Sequence, residues 1–287
     1  MITDMHKTAG FGGPTSPSRE EQLVYLFCVT DKEPRPKEID SLVGNLYFVC
    51  HKGLYAVVGR VEESEFGEQN LKRNLADLEW IKAKTNMHEK IIETVMRNSS
   101  VIPFKFATCF NTDDSLKAML EEYAEEFKAI LKKLEDKEEW GVKIYCDIEK
   151  LKDSLANDEP EILEIENEIN LSSPGKAYLL KKKKTELIED TLNKKINEYG
   201  QETFELLKEL SSSARINKLL PKEVTEREDD MVLNSAFLVG KDKVGDFINM
   251  IDTLKMHYEG EGLFFDCTGP WPPYNFCSLL KEKVQNG

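Results

Sequence analysis

Long apolar runs, clustered cysteines, an excess of positive charge and phosphate-binding glycine loops are all missing from this sequence. No stretch approaches the roughly eighteen uncharged residues that a membrane-crossing helix requires. The six cysteines, Cys28, Cys50, Cys109, Cys146, Cys267 and Cys277, are scattered, with no C-x-x-C pair among them. They match neither a disulfide framework nor a zinc site, and reduced thiols in a cytosol are the expectation. Asp and Glu outnumber Lys and Arg by 53 to 39, for a net charge of −14. An acidic field of that size repels nucleic acid and anionic lipid at long range. G-x-x-x-x-G-K-[ST], G-x-G-x-x-G, G-x-S-x-G and H-E-x-x-H are absent too. Nucleotide-binding, serine-hydrolase and zinc-protease chemistry therefore lack their usual scaffolds.

Histidine is scarce, at four residues, and Cys50-His51 is the one tempting pair of nucleophile and base. Neighbours on a strand point to opposite faces, which is poor geometry for a nucleophile and its base. Residues 52–59 (KGLYAVVG) loosely follow an RNA-stacking pattern, but its aromatic third, fifth and eighth positions hold Leu54, Ala56 and Gly59. The basic run Lys181 to Lys184 reads as a solvated helix face. The chain is expected not to be an enzyme and to carry no cofactor and no metal.

What is present is a core and a charged coat. Apolar residues make up 40% of the chain and charged residues 32%, the composition of a globular protein. Residues 1–20, rich in Gly, Pro, Ser and Thr, read as a flexible tail. LVYLFCVT at 23–30 suits a strand covered on both faces, and 46–50 with 54–61 reads as a hairpin through His51-Lys52-Gly53. Leu71, Leu75 and Leu78 take helical spacing. Asn86 with Glu89 suggests a capping box for a further helix through Ile91, Ile92 and Val95. VIPFKFATCF at 101–110 reads as one strand.

Leu116, Leu120, Tyr123, Phe127, Ile130 and Leu134 follow at spacings of four, three, four, three and four, predicting one amphipathic helix about 35 Å long. Ordinary core packing is the leading reading of that seam; a partner-binding face is the alternative. EWGVKIYCD at 139–147 alternates as a half-buried strand opening a second unit. Charged helical patterns fill 148–220, interrupted at Pro160 and at Ser172 to Gly175. Strand VLNSAFLV at 232–239 is followed by a helical pattern carrying Val244, Phe247, Ile251, Leu254 and Tyr258, then by strand LFFDC at 263–267.

The fold class expected is α+β in two domains. An N-terminal mixed strand/helix domain spans 21–135. A C-terminal ferredoxin-like domain spans 136–287, interrupted by the helical extension. One segment stands out, TGPWPPYNF at 268–276. Its three prolines stiffen the backbone, and Trp271, Tyr274 and Phe276 add apolar faces. Either these aromatics cover the edge of the last sheet, or the stiff segment docks a partner at low entropic cost. The candidate contact residues are Trp271, Pro272, Pro273, Tyr274 and Phe276, with Leu120, Tyr123 and Phe127 on the seam.

Seven pieces in order resemble the gas vesicle protein F/L family (GvpF/GvpL): LVYLFCVT, LYAVVGRV, VIPFKFATCF, EEWGVKIY, SPGKAYLLKKK, LNSAFLV and GPWPPYNF. The family pattern often carries an Arg and a Gly where this chain has Lys105 and Ala107. The resemblance implies two α+β domains and an accessory or minor structural role in gas vesicle formation. As partners it implies the very hydrophobic shell protein, gas vesicle protein A, and other accessory proteins, with a place in the cytoplasm and at the gas vesicle. Shielding the shell protein from aggregation and nucleating its assembly is the expected work. A nucleic-acid-binding module on ferredoxin-like domains is the competing expectation, and an enzyme with an unrecognised site the third.

Overall fold

The computed structural model describes residues 22–35 and 46–277, and the expected tail lies outside them. The chain has a mixed α+β architecture, and its described residues separate into two compact units. One holds the chain up to Val95 together with Phe104–Ala124, and the other holds Met96–Pro103 together with the chain from Glu125.

In the first unit, β1 (Gln22–Thr30) pairs antiparallel with β3 (Leu54–Glu62), which pairs in turn with β2 (Leu46–His51). Every residue from Val24 to Val29 is buried, as a strand covered on both faces requires. His51 and Leu54 face each other across a two-residue loop in which Lys52 (φ 51°) and Gly53 (φ 76°) are both left-handed. Two positive φ values give the primed turn whose twist matches the strands.

Three helices follow: α1 (Glu63–Phe66), α2 (Glu68–Asn74) and α3 (Leu78–Met96). Helix α3 runs unbroken through Asn86, so the capping box expected there does not form. Nor is 101–110 one strand. It resolves into β4 (Ile102–Pro103) and β5 (Cys109–Phe110), separated by a turn in which Ala107 takes φ +63°. The amide of Ala107 donates to the Tyr25 hydroxyl (2.9 Å), a partner 82 residues away. That bond substitutes for the ladder bond a continuous strand would have made.

The expected long helix is two helices. In α4 (Asp113–Glu122), the Thr112 hydroxyl accepts from the Ser115 amide to form a capping box. Helix α5 (Ala124–Leu134) follows after Tyr123, whose φ −103° and ψ 11° leave the helical region.

The second unit opens with β6 (Lys137–Cys146) and continues with α6 (Ile148–Asp158), α7 (Pro160–Asn170) and α8 (Pro174–Glu209). Proline sits in the first turn of both α7 and α8, where the missing amide costs nothing. Next come β7 (Ser213–Ile216), α9 (Lys222–Thr225), β8 (Asp230–Gly240), α10 (Val244–Tyr258) and β9 (Leu263–Trp271). The strands pair antiparallel in the order β7-β8-β6-β9.

The core of this unit lies between the sheet and its helices. Val142, Ile144, Phe237, Phe247, Ile251 and Leu207 are all essentially inaccessible. Burying each such side chain is worth about 1.5–3 kcal/mol. Residues Leu151, Leu155, Ile162 and Leu192 of the charged helices belong to the same core. The helical extension is therefore partly structural.

Candidate interaction surface

The C-terminal segment is built onto the edge of the second sheet. Strand β9 ends where Trp271 pairs with Glu139, with an irregularity between Glu139 and Gly141. Gly269 sits at φ +149° ahead of a cis peptide to Pro270. A Cβ there would lie 2.9 Å from the Glu139 carbonyl oxygen and 3.0 Å from the Trp140 ring, so the position demands glycine. Beyond it, Pro272, Pro273, Phe276 and Cys277 are buried and Tyr274 is half-buried. The Arg215 guanidinium lies 6.0 Å from the Phe276 ring centre.

Sheet-edge cover therefore accounts for Pro272, Pro273 and Phe276. Their side chains are buried within the unit. Trp271 differs. Its indole nitrogen donates to the Thr268 hydroxyl (3.0 Å), and 43% of the residue remains exposed. It borders a cavity of about 200 Å³, with Arg97, Leu134, Lys241, Pro270 and Pro273 among the lining.

Leu120 and Tyr123 lie in the first unit and Phe127 in the second. Leu120 and Phe127 are fully buried, and so are Leu116, Ile130 and Leu134. The seam is core on both sides of Tyr123, in line with the leading reading of ordinary packing, and leaves Leu120 and Phe127 buried. Regular i,i+3/i+4 spacing is equally the signature of a face packed against its own protein.

Large exposed apolar side chains gather elsewhere. Where α7 turns into α8, Leu171 is 90% exposed, Tyr178 72% and Leu179 66%. In the first unit, Leu78 at the start of α3 is 79% exposed. The sequence carried a signal for the α7–α8 group. Tyr178 and Leu179 fall off the stripe of Leu180, Leu187, Leu192 and Ile196 that faces inward at helical spacing.

Among the described residues, the titratable groups nearest the Cys50-His51 pair make surface contacts. His51 bonds Glu121, which also pairs with Lys52 (3.1 Å), and these contacts hold the Glu121 carboxyl below its usual range. Cys50, next along the strand, is exposed and shares a side-chain hydrogen bond with Tyr55. Burial pushes the thiols of Cys109 and Cys146 up to about 12 and that of Cys267 to about 11, so all three stay protonated and unreactive. His88 is enclosed by the Tyr25, Phe27 and Phe106 rings. Among the described residues, no group of three or more His, Cys, Asp or Glu is placed to hold a metal ion. No described helix is long and apolar enough to cross a membrane. What the described residues display is a set of exposed apolar side chains on an acidic body.

Comparison with known proteins gives that surface its context. The family model for gas vesicle synthesis protein GvpL/GvpF matches residues 23–278. The chain belongs to this family. Gas vesicle protein L of a Streptomyces species is 24% identical over 234 residues, covering 82% of this chain and 84% of that protein. Gas vesicle protein F of Haloferax mediterranei is also 24% identical, over 261 residues, covering 89% and 93%. These two relatives, one named L and one named F, stand at equal identity. The crystal structure of GvpF from an Anabaena species superposes with a TM-score of 0.67 at 16% identity, covering 90% of this chain and 98% of that one. The GvpL/GvpF fold and a role in gas vesicle formation follow for this chain.

Proposed function

We propose that this protein binds the hydrophobic gas vesicle shell protein, gas vesicle protein A, and other accessory proteins, in the cytoplasm and at the growing vesicle. A shell that keeps liquid water from its inner face is built from subunits with exposed apolar surface, which aggregate if left uncovered. A well-folded, acidic partner carrying a few large apolar contacts shields such subunits and helps nucleate their assembly. The observation that carries this reading is the pairing of a family match across residues 23–278 with large apolar side chains standing exposed on a chain of net charge −14. Trp271 and Tyr274 are the contact residues retained from the C-terminal segment, with Leu78 and the Leu171 group as further contacts.

The second unit is read as ferredoxin-like. The order β7-β8-β6-β9, all antiparallel, with one helical crossover through α6–α8 and another through α10, supports that description.

The test is light scattering of shell protein diluted from denaturant, with and without this protein, followed by recovery on tagged protein. The expected result is suppressed scattering and co-recovery at near-equimolar ratio. Unchanged scattering together with no recovery overturns the reading. Deleting 148–218 would remove Leu151, Leu155, Ile162, Leu192 and Leu207 from the core, so surfaces are assigned by point substitution.

A further inference from the structure

The turn between α7 and α8 combines two features that nothing in the fold explains. Leu171, Tyr178 and Leu179 are among the most exposed large apolar residues described. The buried residues of α8 are Leu192, Gly200, Thr203 and Leu207, all in its C-terminal half, so the first four turns of the helix bury none. Internal packing therefore does not account for the apolar end.

Charge is the second feature. Residues 171–184 (LSSPGKAYLLKKKK) contain five lysines and no carboxylate, on a chain whose net charge is −14. Lys184 pairs with Glu166 (2.8 Å), Lys176 approaches Glu168 (3.8 Å) and Lys182 approaches Glu186 (3.9 Å). Among the described residues, Lys181 and Lys183 have no such pair, and both stand in solvent. At helical spacing, Tyr178 neighbours Lys181 and Lys182, while Leu179 neighbours Lys182 and Lys183. The result is an apolar knob, Tyr178 and Leu179, flanked by the solvent-facing Lys181 and Lys183, with Leu171 exposed at the preceding turn.

We infer that this knob is a docking element for a protein surface that presents an apolar groove bordered by carboxylates. Apolar contact supplies the affinity, and the flanking lysines select for acidic edges and speed encounter. An anionic membrane is the other surface that basic and apolar groups suit. Three apolar side chains give only shallow insertion, and the rest of this chain repels anionic lipid, so a protein is the favoured occupant. This inference goes beyond the shell-protein reading and is tested without the shell protein.

The probes are two synthetic amphipathic helical peptides with the same Leu stripe, one bordered by Glu and the other by Lys. Fluorescence anisotropy with the full chain is expected to give at least tenfold tighter binding of the Glu-bordered peptide, weakening as salt is raised. The triple variant L171S/Y178S/L179S is expected to lose at least tenfold, and K181E/K183E to reverse the preference. All five side chains are exposed, and unchanged circular dichroism confirms that the variants fold. Equal affinity for both peptides, no binding of either, or indifference to the variants overturns the proposal. So does binding to anionic phospholipid vesicles with the same dependence on these residues, which would make the knob a membrane contact.

Discussion

Glu139 and Asn275, 136 residues apart, are joined by two hydrogen bonds: Oε1 accepts from the Asn275 side-chain amide (2.7 Å) and Oε2 from its backbone amide (3.0 Å). Glu139 is buried on β6, so this carboxylate fixes the segment after Trp271 against the sheet. Bonds to a charged acceptor are the stronger kind, and a buried group that loses its partner carries the full desolvation cost. Glu139→Ala and Asn275→Ala are each expected to destabilise by about 1–3 kcal/mol in urea denaturation. The double variant should cost less than the sum of the two, because they share one contact.

A second network sets a pH dependence. His88 Nε2 lies 3.1 Å from the Phe104 carbonyl oxygen, which can only accept, so Nε2 carries the hydrogen. Nδ1 is then the acceptor for the Tyr25 hydroxyl (2.9 Å), which itself accepts from Ala107. Burial lowers the His88 pKa from 6.5 to about 4, outweighing the bond to Phe104. Between those values the unfolded chain binds a proton that the folded chain does not, so stability rises with pH. The contribution is complete above about pH 6.5 and is lost as pH falls towards 4, totalling about 3 kcal/mol. Subtracting the His88→Gln stability profile from that of the parent should isolate this slope; a flat difference from pH 7 to 4 would refute it.

The parts of the fold that were legible are those decided locally. Lys52-Gly53 announces its turn because both positions need left-handed backbone. The run 23–30 announces a doubly covered strand, and Phe247, Ile251, Leu254 and Tyr258 announce the buried face of α10. The illegible parts are decided at a distance. Strand β7 has only four residues and becomes a strand by pairing with β8, Ser213 with Leu238 through Ile216 with Ser235. The turn at Ala107 depends on a hydroxyl from β1. Leu120 and Phe127 looked alike whether they faced a partner or a core, since spacing records a face and not what covers it. Trp271 is exposed while Phe276 is buried because of the register with Glu139 and the clamp on Asn275, neither of which is a local property.

Ala107 predicts a stabilising substitution. Its φ of +63° puts a Cβ in the left-handed region, where a non-glycine residue is strained by about 1–2 kcal/mol. Glycine removes the strain but adds freedom to the unfolded chain, worth about 0.5–1 kcal/mol. Ala107→Gly is therefore expected to raise stability by up to about 1 kcal/mol. Ala107→Val, β-branched at the same φ, should lower it by more than that. Urea midpoints of the two variants moving in the same direction would contradict the account.

The contrast between Trp271 and Phe237 separates surface work from core work. Phe237 is inaccessible and packs its ring against Phe204 (5.6 Å) and Phe247 (5.4 Å), so Phe237→Ala should cost about 3–5 kcal/mol. Trp271 gives up far less on truncation. The residue keeps 43% of its surface in solvent, and the bond from its indole nitrogen to Thr268 is an exposed one that water can replace. Trp271→Ser is expected to shift stability by no more than about 1 kcal/mol. Under the proposed function, the same substitution should cut recovery of shell protein several-fold, while a conservative Trp271→Phe retains most of it. Recovery by Trp271→Ser equal to that of the parent protein, at unchanged stability, would remove Trp271 from the contact surface and leave the exposed leucines to carry it.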